Sequence, residues 1–159
     1  MRYYIADSAV FIMGTGTEAH RLLTVPSVVN ELKSYEASMR FELAVESGAC
    51  VQSPEDPFLE EVREIAKRTR DCEELSKTDI DVLAKALEYR ESSMLLTDDY
   101  AVQNVARVMG IEVRPVVQKK IKDVLIWQKK CVGCHRSFDE GEICPVCGSG
   151  LKKSRKRKI

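Results

Sequence analysis

Two pairs of cysteines near the C-terminus have the spacing of a metal site. Cys131 and Cys134 form one CxxC pair, and Cys144 and Cys147 form a second pair after nine intervening residues. Each pair offers two thiolates from one tight turn, and two such turns complete a tetrahedral shell around Zn²⁺. Because four sulfur ligands leave no open coordination position, we predict a structural zinc ribbon. Two disulfides, a redox dithiol, or a neighbouring histidine in place of one cysteine are the alternatives.

Acidic residues recur where apolar runs end or helices begin. Asp7 and the Asp98-Asp99 pair each follow an apolar run, and Glu31 and Asp79 lie on predicted helices. In open parallel sheets, sites form beyond the carboxyl ends of the strands, so these side chains are expected to converge. Converging carboxylates raise one another's pKa, and a divalent cation relieves the repulsion. Oxygen ligands favour Mg²⁺ or Mn²⁺, and such a cluster suits metal-assisted phosphodiester hydrolysis.

Each of these acids also has a simpler interpretation. Asp98 or Asp99 could cap the helix that follows. Glu31 could be a solvated acid at the edge of a helix face. Asp79 could serve only to cap its own helix. A purely structural role is least expected for Asp7, because turns directly after buried strands often carry function.

One predicted helix, from Ser76 to about residue 91, separates two similar acids. At 100° per residue Asp79 falls within the apolar stripe, where a carboxylate needs a partner or a metal ion. Asp81 falls on the far side, one turn before Lys85, so we expect it to be solvated and paired with that lysine. Ser76 and Asp79 also have the spacing of a capping box. The prediction therefore assigns Asp79, and not Asp81, to the site.

Elements that would position these residues alternate along residues 1–115. Strands are predicted at 2–6, 49–51, 94–96 and 111–113, and helices at 26–35, 37–46, 58–70, 76–91 and 100–109. Alternating strands and helices indicate an α/β fold with a parallel sheet flanked by helices on its faces. No phosphate-binding glycine motif is present.

The charge of the chain is unevenly distributed over its 159 residues. Residues 1–118 carry 13 Lys and Arg against 21 Asp and Glu, a net charge of −8, whereas residues 119–159 carry +8. An acidic body with a basic arm is typical of a nucleic-acid enzyme. No apolar run reaches the ~18 residues that span a bilayer. We therefore expect a cytoplasmic protein that does not bind membranes.

The basic arm is expected to supply the affinity for nucleic acid that an acidic body lacks. We divide it into a linker (116–130) with some helical apolar spacing, the ribbon (131–151) and a disordered tail (152–159). Its lysines would neutralise phosphates without reading sequence. Trp127 could stack on a base, although a lone Trp more often packs against its own domain. The candidate contacts are Lys119, Lys120, Lys122, Lys129, Lys130 and the tail from Lys152 to Lys158.

Four stretches of the chain resemble a known nuclease family. IADSAVFI, VPSVVNEL, LSKTDIDVLAKAL and LLTDDYAVQNVA are similar to the motifs of PIN-domain nucleases over residues 1–115. With the C-terminal cysteine ribbon, the whole chain resembles the archaeal Nob-type endoribonucleases. The resemblance implies a Mn²⁺- or Mg²⁺-dependent endoribonuclease that cuts the 3′ end of the small-subunit ribosomal RNA precursor on the small ribosomal subunit particle.

The resemblance also assigns roles to residues. It implies that Asp7, Glu31, Asp79 and either Asp98 or Asp99 form the catalytic site, with Asp7, Asp79 and Asp99 as the favoured ligands of Mg²⁺ or Mn²⁺. Two other functions stay open at this point. One is a toxin-like PIN ribonuclease acting on other RNAs, and the second is a non-catalytic zinc-ribbon protein that binds RNA during assembly.

Overall fold

The computed structural model describes residues 1–14, 16–117 and 125–158. Five parallel strands form one sheet in the order β3-β2-β1-β4-β5. The predicted parallel sheet is therefore confirmed. The strands are β1 (Tyr3–Ala6), β2 (Leu22–Thr24), β3 (Cys50–Val51), β4 (Ser93–Leu96) and β5 (Val113–Arg114).

Within the described ranges, six α-helices surround this sheet, and short 3-10 turns at Ala19–Arg21 and Arg90–Ser92 lead into β2 and β4. Helix α5 packs against β1 and β4 and also contacts α2, α4 and α6, so it is enclosed on most of its circumference. The helices are α1 (Ser8–Met13), α2 (Pro26–Glu31), α3 (Tyr35–Glu46), α4 (Asp56–Thr69), α5 (Lys77–Glu88) and α6 (Tyr100–Val108).

Local signals in the sequence set the helix ends that matter for the site. Asp7 caps α1 by accepting a hydrogen bond from the Ser8 amide at 2.7 Å. Pro26 occupies the first turn of α2, where its missing amide costs nothing. Ser76 and Asp79 form the predicted capping box at the start of α5. These caps fix where each acidic side chain leaves the backbone.

Strand β2 was absent from the sequence-based prediction. Its three residues, Leu22–Thr24, are all buried, and the strand lies between β1 and β3. A run of three residues is too short to show a period of two, and it lacks the flanking pattern that identifies longer strands. The hydrogen bond from Thr24 Oγ1 to the Ala6 carbonyl (2.8 Å) ties it to β1.

The C-terminal part of the chain folds as a second sheet. Strands β6 (Leu125–Cys131), β7 (Ser137–Phe138) and β8 (Leu151–Lys158) pair antiparallel in the order β7-β6-β8. The expected disorder of the tail is therefore wrong, because residues 151–158 pair with β6 along its length. Helical spacing is also wrong for residues 125–130. The proposed RNA contacts Lys119, Lys120 and Lys122 lie outside the described residues.

A polar joint attaches the second sheet to the body. The indole N–H of Trp127 donates to Asp71 Oδ1 (3.2 Å), and Asp71 is buried. Arg70 donates to the Trp127 carbonyl (3.0 Å) and pairs with Asp139 (3.0 Å). Lys153 lies over the Trp127 ring at 4.9 Å and pairs with a body residue, Glu74 (2.7 Å). Trp127 thus packs within the protein, as the more common role of a lone tryptophan predicts.

Arg70 holds this joint from an uncommon backbone conformation. It ends α4 with φ 63° and ψ 28°, the left-handed region that glycine prefers at this position. A side chain is needed there, since the guanidinium makes both contacts to the second sheet.

In the described part of the chain, no helix is long and apolar enough to cross a membrane.

Candidate active site and metal centre

The candidate active site lies at the carboxyl edge of the central strands. The strand order reverses direction between β1 and β4, which lie side by side with Ala6 opposite Leu96. Asp7 directly follows β1, and Asp98 and Asp99 follow β4 after Thr97. Such a switch point leaves a crevice between the loops that leave the two strands.

Asp7 is buried directly after β1. Its Oδ1 accepts the Ser8 amide (2.7 Å) and its Oδ2 accepts the Thr97 hydroxyl (2.7 Å). Only 7% of the residue is exposed. Burial raises the pKa of Asp7, the two hydrogen bonds oppose this, and the charges of Asp99 and Glu31 raise it further. A cation bound nearby would therefore stabilise the ionised form of Asp7.

The structure places the two adjacent acids of the β4–α6 turn differently. Asp99 caps α6 through Oδ1, which accepts the amides of Ala101 (2.8 Å) and Val102 (3.1 Å), and its charge raises the pKa of both Asp7 and Asp79. Asp98 instead accepts the amide of Val116 (2.8 Å). Asp99 therefore faces the other acids, whereas Asp98 anchors the segment after β5.

Glu31 reaches the cluster from the end of α2. Its Oε1 accepts the Thr78 hydroxyl at 2.6 Å, which joins α2 to the first turn of α5. Its charge contributes to the raised pKa of Asp7. The solvated role considered for Glu31 does not describe it fully, since the residue is exposed but has a fixed partner on α5.

Asp79 combines the two roles that its sequence position allowed. It is half-buried, and its Oδ2 accepts the Ser76 amide at 2.8 Å within the capping box. Burial raises the pKa of Asp79, the Ser76 backbone hydrogen bond opposes the shift, and the charges of Asp99 and Asp7 add to it. Asp79 is thus both a helix cap and a member of the acidic group.

The prediction for Asp81 is wrong. Asp81 is 6% exposed, accepts the Ser27 hydroxyl (2.7 Å) and pairs with Lys77 (3.1 Å). Lys85, its expected partner, is itself buried and pairs with Glu88 (2.7 Å). The helical wheel failed because it assumes that one face of α5 meets solvent, whereas α2 covers the face that carries Asp81.

The acidic group joins four carboxylates through mutual charge effects. Asp7, Glu31, Asp79 and Asp99 contribute only oxygen donors, and Asp7 and Asp79 have pKa values raised in part by their acidic neighbours. Among the described residues, only the four cysteines bring three or more possible ligand atoms within 4.8 Å of one another. An ion shared by these described carboxylates would therefore need water among its ligands, as Mg²⁺ commonly has.

The cysteine cluster has the dimensions of a tetrahedral thiolate site. The four Sγ atoms lie within 4.8 Å of one another. Four sulfur atoms at 2.3 Å from Zn²⁺ are about 3.8 Å apart. The Cys134–Cys144 distance is 3.7 Å and the Cys131–Cys147 distance is 3.3 Å. The predicted group of four cysteines is confirmed, and it fits a small zinc ribbon.

Backbone groups in the two cysteine turns also fit a metal thiolate centre. The Gly133 and Cys134 amides donate to Cys131 Sγ (3.3 and 3.4 Å), and the Val146 amide donates to Cys144 Sγ (3.4 Å). A Cβ on Gly133 would lie 3.3 Å from Cys147 Sγ and 2.5 Å from Ser149 Oγ. The first turn therefore requires glycine to bring the thiolates together.

Sequence reasoning missed the hydroxyls that organise the acids. Thr97 donates to Asp7 and accepts the Asp99 amide (3.2 Å), so one side chain connects the loops after β1 and β4. The Thr78 hydroxyl donates to Glu31 and so connects α2 to α5. The signal was present, since each threonine lies one or two residues from a candidate acid, but a hydroxyl has no periodic pattern that reveals its partner.

Comparisons with known proteins identify the family to which the chain belongs. A family model described as the PIN domain of ribonuclease matches residues 4–89. The chain is 41% identical to Endoribonuclease Nob1 of Pyrococcus abyssi over 152 residues, covering 93% of this chain and 91% of that protein. It is 43% identical to Endoribonuclease Nob1 of Archaeoglobus fulgidus, covering 80% and 76%.

A relative with another name is also similar over most of its length. Ribonuclease VapC1 of Thermoplasma acidophilum is 33% identical over 155 residues, covering 96% of this chain and 78% of that protein. All of these relatives are ribonucleases, and the Nob1 proteins above share more identical residues with the chain. The chain is therefore an endoribonuclease that belongs to the PIN-domain ribonucleases and, among them, to the Nob1 family.

Proposed function

We propose that this endoribonuclease matures the 3′ end of the small-subunit ribosomal RNA precursor during ribosome biogenesis. The observation that carries the proposal is the set of four linked carboxylates at the β1–β4 switch point, in a chain of the Nob1 family. Its partners would be that precursor and the small ribosomal subunit particle. The basic second sheet supports an RNA substrate, because it supplies the phosphate affinity that an acidic crevice lacks.

The catalytic residues we assign are Asp7, Glu31, Asp79 and Asp99. Asp7 and Asp99 would hold Mg²⁺ or Mn²⁺ with Asp79, and Glu31 would complete the negative field around the ion. A bound ion of this kind activates water for attack and stabilises charge on the phosphate. We leave Asp98 out of the ligand set because its carboxylate already accepts backbone amides of the segment after β5.

Within this site, the chain's own groups orient the acids. The Thr97 hydroxyl directs Asp7 Oδ2, and the Thr78 hydroxyl directs Glu31 Oε1. The Thr97 hydrogen bond favours the ionised form of Asp7, which is the form that binds a cation. Asp99 uses one oxygen, Oδ1, for both of its helix-cap hydrogen bonds, so the role we assign falls to Oδ2.

For the cysteine cluster, we propose a structural Zn²⁺ held by Cys131, Cys134, Cys144 and Cys147. The donor set is all sulfur, which favours zinc over Mg²⁺ or Ca²⁺. The metal would fix the end of β6 next to the start of β8, since Cys131 pairs with Leu151 in the second sheet. Removal of zinc should therefore loosen the whole C-terminal sheet.

The proposal is tested by incubating the full chain with a precursor RNA that spans the small-subunit 3′ end. We expect cleavage at one position with Mn²⁺, none with chelator, and none with Asp7→Asn, whose amide keeps the helix cap. Equal cleavage of unrelated RNA would favour the toxin-like function, for which the VapC1 similarity is the specific observation. Tight binding without cleavage would favour the assembly role and contradict the assigned catalytic residues.

A further inference from the structure

A cleft of about 660 Å³ opens on the sheet face beside the acidic site. Its lining includes Tyr4 from β1, Leu96 from β4 and Arg114 from β5. Arg21, which precedes β2, and Val116 border it as well. None of these residues belongs to the acidic group, so the cleft is a separate surface that the proposed chemistry does not use.

Strand register places this cleft next to the proposed catalytic acids. Ala6 pairs with Leu96, and Leu96 pairs with Arg114, so the three residues form one row across β1, β4 and β5. Neighbouring strands are ~4.8 Å apart, which puts Arg114 about 10 Å from Ala6, the residue before Asp7. One extended RNA strand could therefore contact both the cleft and the acids.

Two arginines in the cleft share one aromatic ring. The guanidinium carbons of Arg21 and Arg114 lie 4.9 and 5.3 Å from the centre of the Tyr4 ring. Arg21 also donates to the Arg2 carbonyl (2.7 Å) and pairs with Glu18 (3.2 Å). Its charge is therefore compensated, and its contacts are those of a residue that supports the fold.

Arg114 differs from Arg21 in what surrounds it. It is exposed at the last position of β5, and within the described residues no carboxylate forms a salt bridge with it. Several arginines and lysines of the body pair with acids, as Arg63 does with Glu60 and Lys85 with Glu88. In a body with a net charge of −8, a guanidinium without an acidic partner is a position of local positive potential.

We propose that Arg114 binds a backbone phosphate of single-stranded RNA beside the bond that is cut. A guanidinium forms bidentate hydrogen bonds with phosphate, and the Tyr4 ring restricts the side chain to the cleft. The contact would hold a strand near four carboxylates that otherwise repel it. Arg114 is thus a substrate-positioning residue, and the inference rests on the proposed acidic site at the same edge of the sheet.

The test compares Arg114→Gln with Arg90→Gln in the full chain. Arg90 is also an exposed arginine, but it lies before β4 at the opposite edge of the sheet and pairs with Glu91. Both changes are made together with Asp7→Asn so that RNA is not cut, and binding of a short single-stranded RNA is measured by fluorescence anisotropy over a range of salt concentrations.

We expect Arg114→Gln to weaken binding roughly tenfold, as loss of a charge-assisted hydrogen bond would. The slope of log affinity against log salt should fall by about 0.7, the value for one phosphate on a single strand. Arg114→Lys should keep most of the slope and lose part of the affinity. In the otherwise unchanged enzyme, Arg114→Gln should raise KM and leave kcat nearly constant.

Three results would overturn the inference. One is equal affinity and salt dependence for Arg114→Gln and Arg90→Gln. Another is that AMP, titrated as a probe, binds the unmodified protein and binds Arg114→Gln more weakly while RNA affinity is unchanged, which would make the cleft a mononucleotide site. A third is a reduced kcat at constant KM. Residual cleavage by Asp7→Asn alone would instead contradict the proposed acidic site, so the two failures are distinguishable.

Discussion

An uncharged residue, Thr97, connects two acids of the site. Thr97 joins Asp7 to the backbone of Asp99, and those two acids approach each other only because β1 and β4 are neighbours. The raised pKa values of Asp7 and Asp79 indicate that the folded protein disfavours their ionised forms, and a bound cation would offset this.

The adjacent acids Asp98 and Asp99 provide a matched pair of substitutions. We expect Asp99→Asn to reduce kcat by at least ~100-fold, since it removes charge from a proposed metal-binding carboxylate while asparagine preserves the cap of α6. Asp98→Asn removes the same charge one position away and should leave kcat within a few-fold of the unmodified enzyme. Cleavage assays at saturating Mn²⁺ measure both. Equal losses in the two variants would contradict the assignment of Asp99.

Asp7 also links pH and metal binding to stability. Its pKa is raised from 3.8 in the folded state, so protonation stabilises the fold and this contribution is lost as pH rises through the raised pKa. Without divalent cations, Asp7→Asn should therefore gain thermal stability relative to the unmodified protein as pH rises towards neutral. Calorimetric melting temperatures at several pH values measure the difference.

Addition of Mn²⁺ should make the unmodified protein more thermally stable than Asp7→Asn. An ion at a concentration of 100 Kd stabilises the protein that binds it by about 2.7 kcal/mol, whereas Asp7→Asn should bind it weakly. A melting temperature that Mn²⁺ raises equally in both proteins would show that the ion binds elsewhere.

At the scale of elements, the turn between β4 and α6 decides which acids meet. Its three residues have three different tasks: Thr97 orients Asp7, Asp98 anchors the segment after β5, and Asp99 caps α6 while facing the site. The start of α5 positions Asp79, because the capping box fixes its carboxylate in the first helical turn.

Replacing Thr97 with valine tests this role of the turn. Valine has a similar shape but cannot donate to Asp7 or accept the Asp99 amide, and the buried Asp7 would lose a hydrogen bond that supports its ionised form. We expect a loss of about 1–3 kcal/mol in stability and a roughly tenfold weaker response to Mn²⁺. Thr97→Ser retains the hydroxyl and should restore both. Metal titrations followed by cleavage rate, with melting temperatures alongside, would separate the two effects.

How far the sequence predicted this arrangement depends on the kind of signal. Capping residues and apolar runs located α2, α5 and α6, and the spacing of the cysteines located their cluster. Helical periodicity gave the wrong environment for Asp81, because α2 covers that face of α5. It gave no signal for β2, because a strand of three residues is too short to show a pattern. Charge density also misled at residues 151–158, because pairing with β6 orders a segment that looks disordered by composition.

At the scale of the whole molecule, the joint at Trp127 sets how the basic sheet meets the acidic body. Trp127→Phe keeps an aromatic ring under Lys153 but removes the donor to the buried Asp71. We expect the free energy of unfolding to fall by about 1–3 kcal/mol, which corresponds to a drop of several degrees in melting temperature for a protein of this size. An unchanged melting temperature would show that the joint does not contribute to stability. As a control, Phe138→Leu alters a half-buried aromatic of the same sheet outside the joint.

The basic sheet itself should determine the salt dependence of RNA binding. Lys130 and Lys152 are exposed and paired in register across β6 and β8. Replacing both with glutamine should lower the slope of log affinity against log salt by roughly 1–2, since each phosphate contact contributes 0.7–0.9. The double variant Arg63→Gln, Lys67→Gln removes two ion-paired lysine or arginine charges from α4 and should leave the slope unchanged. Equal slopes in the two double variants would locate the RNA elsewhere.

The left-handed backbone of Arg70 has a consequence for how this protein can be stabilised. Glycine at that position would relieve roughly 1 kcal/mol of local strain and favour the end of α4. The same change would release Asp139 and the Trp127 carbonyl, freeing the C-terminal sheet to reorient. Arg70→Gly should therefore favour the end of α4 and at the same time weaken the attachment of the C-terminal sheet, so its two effects on the melting temperature oppose each other.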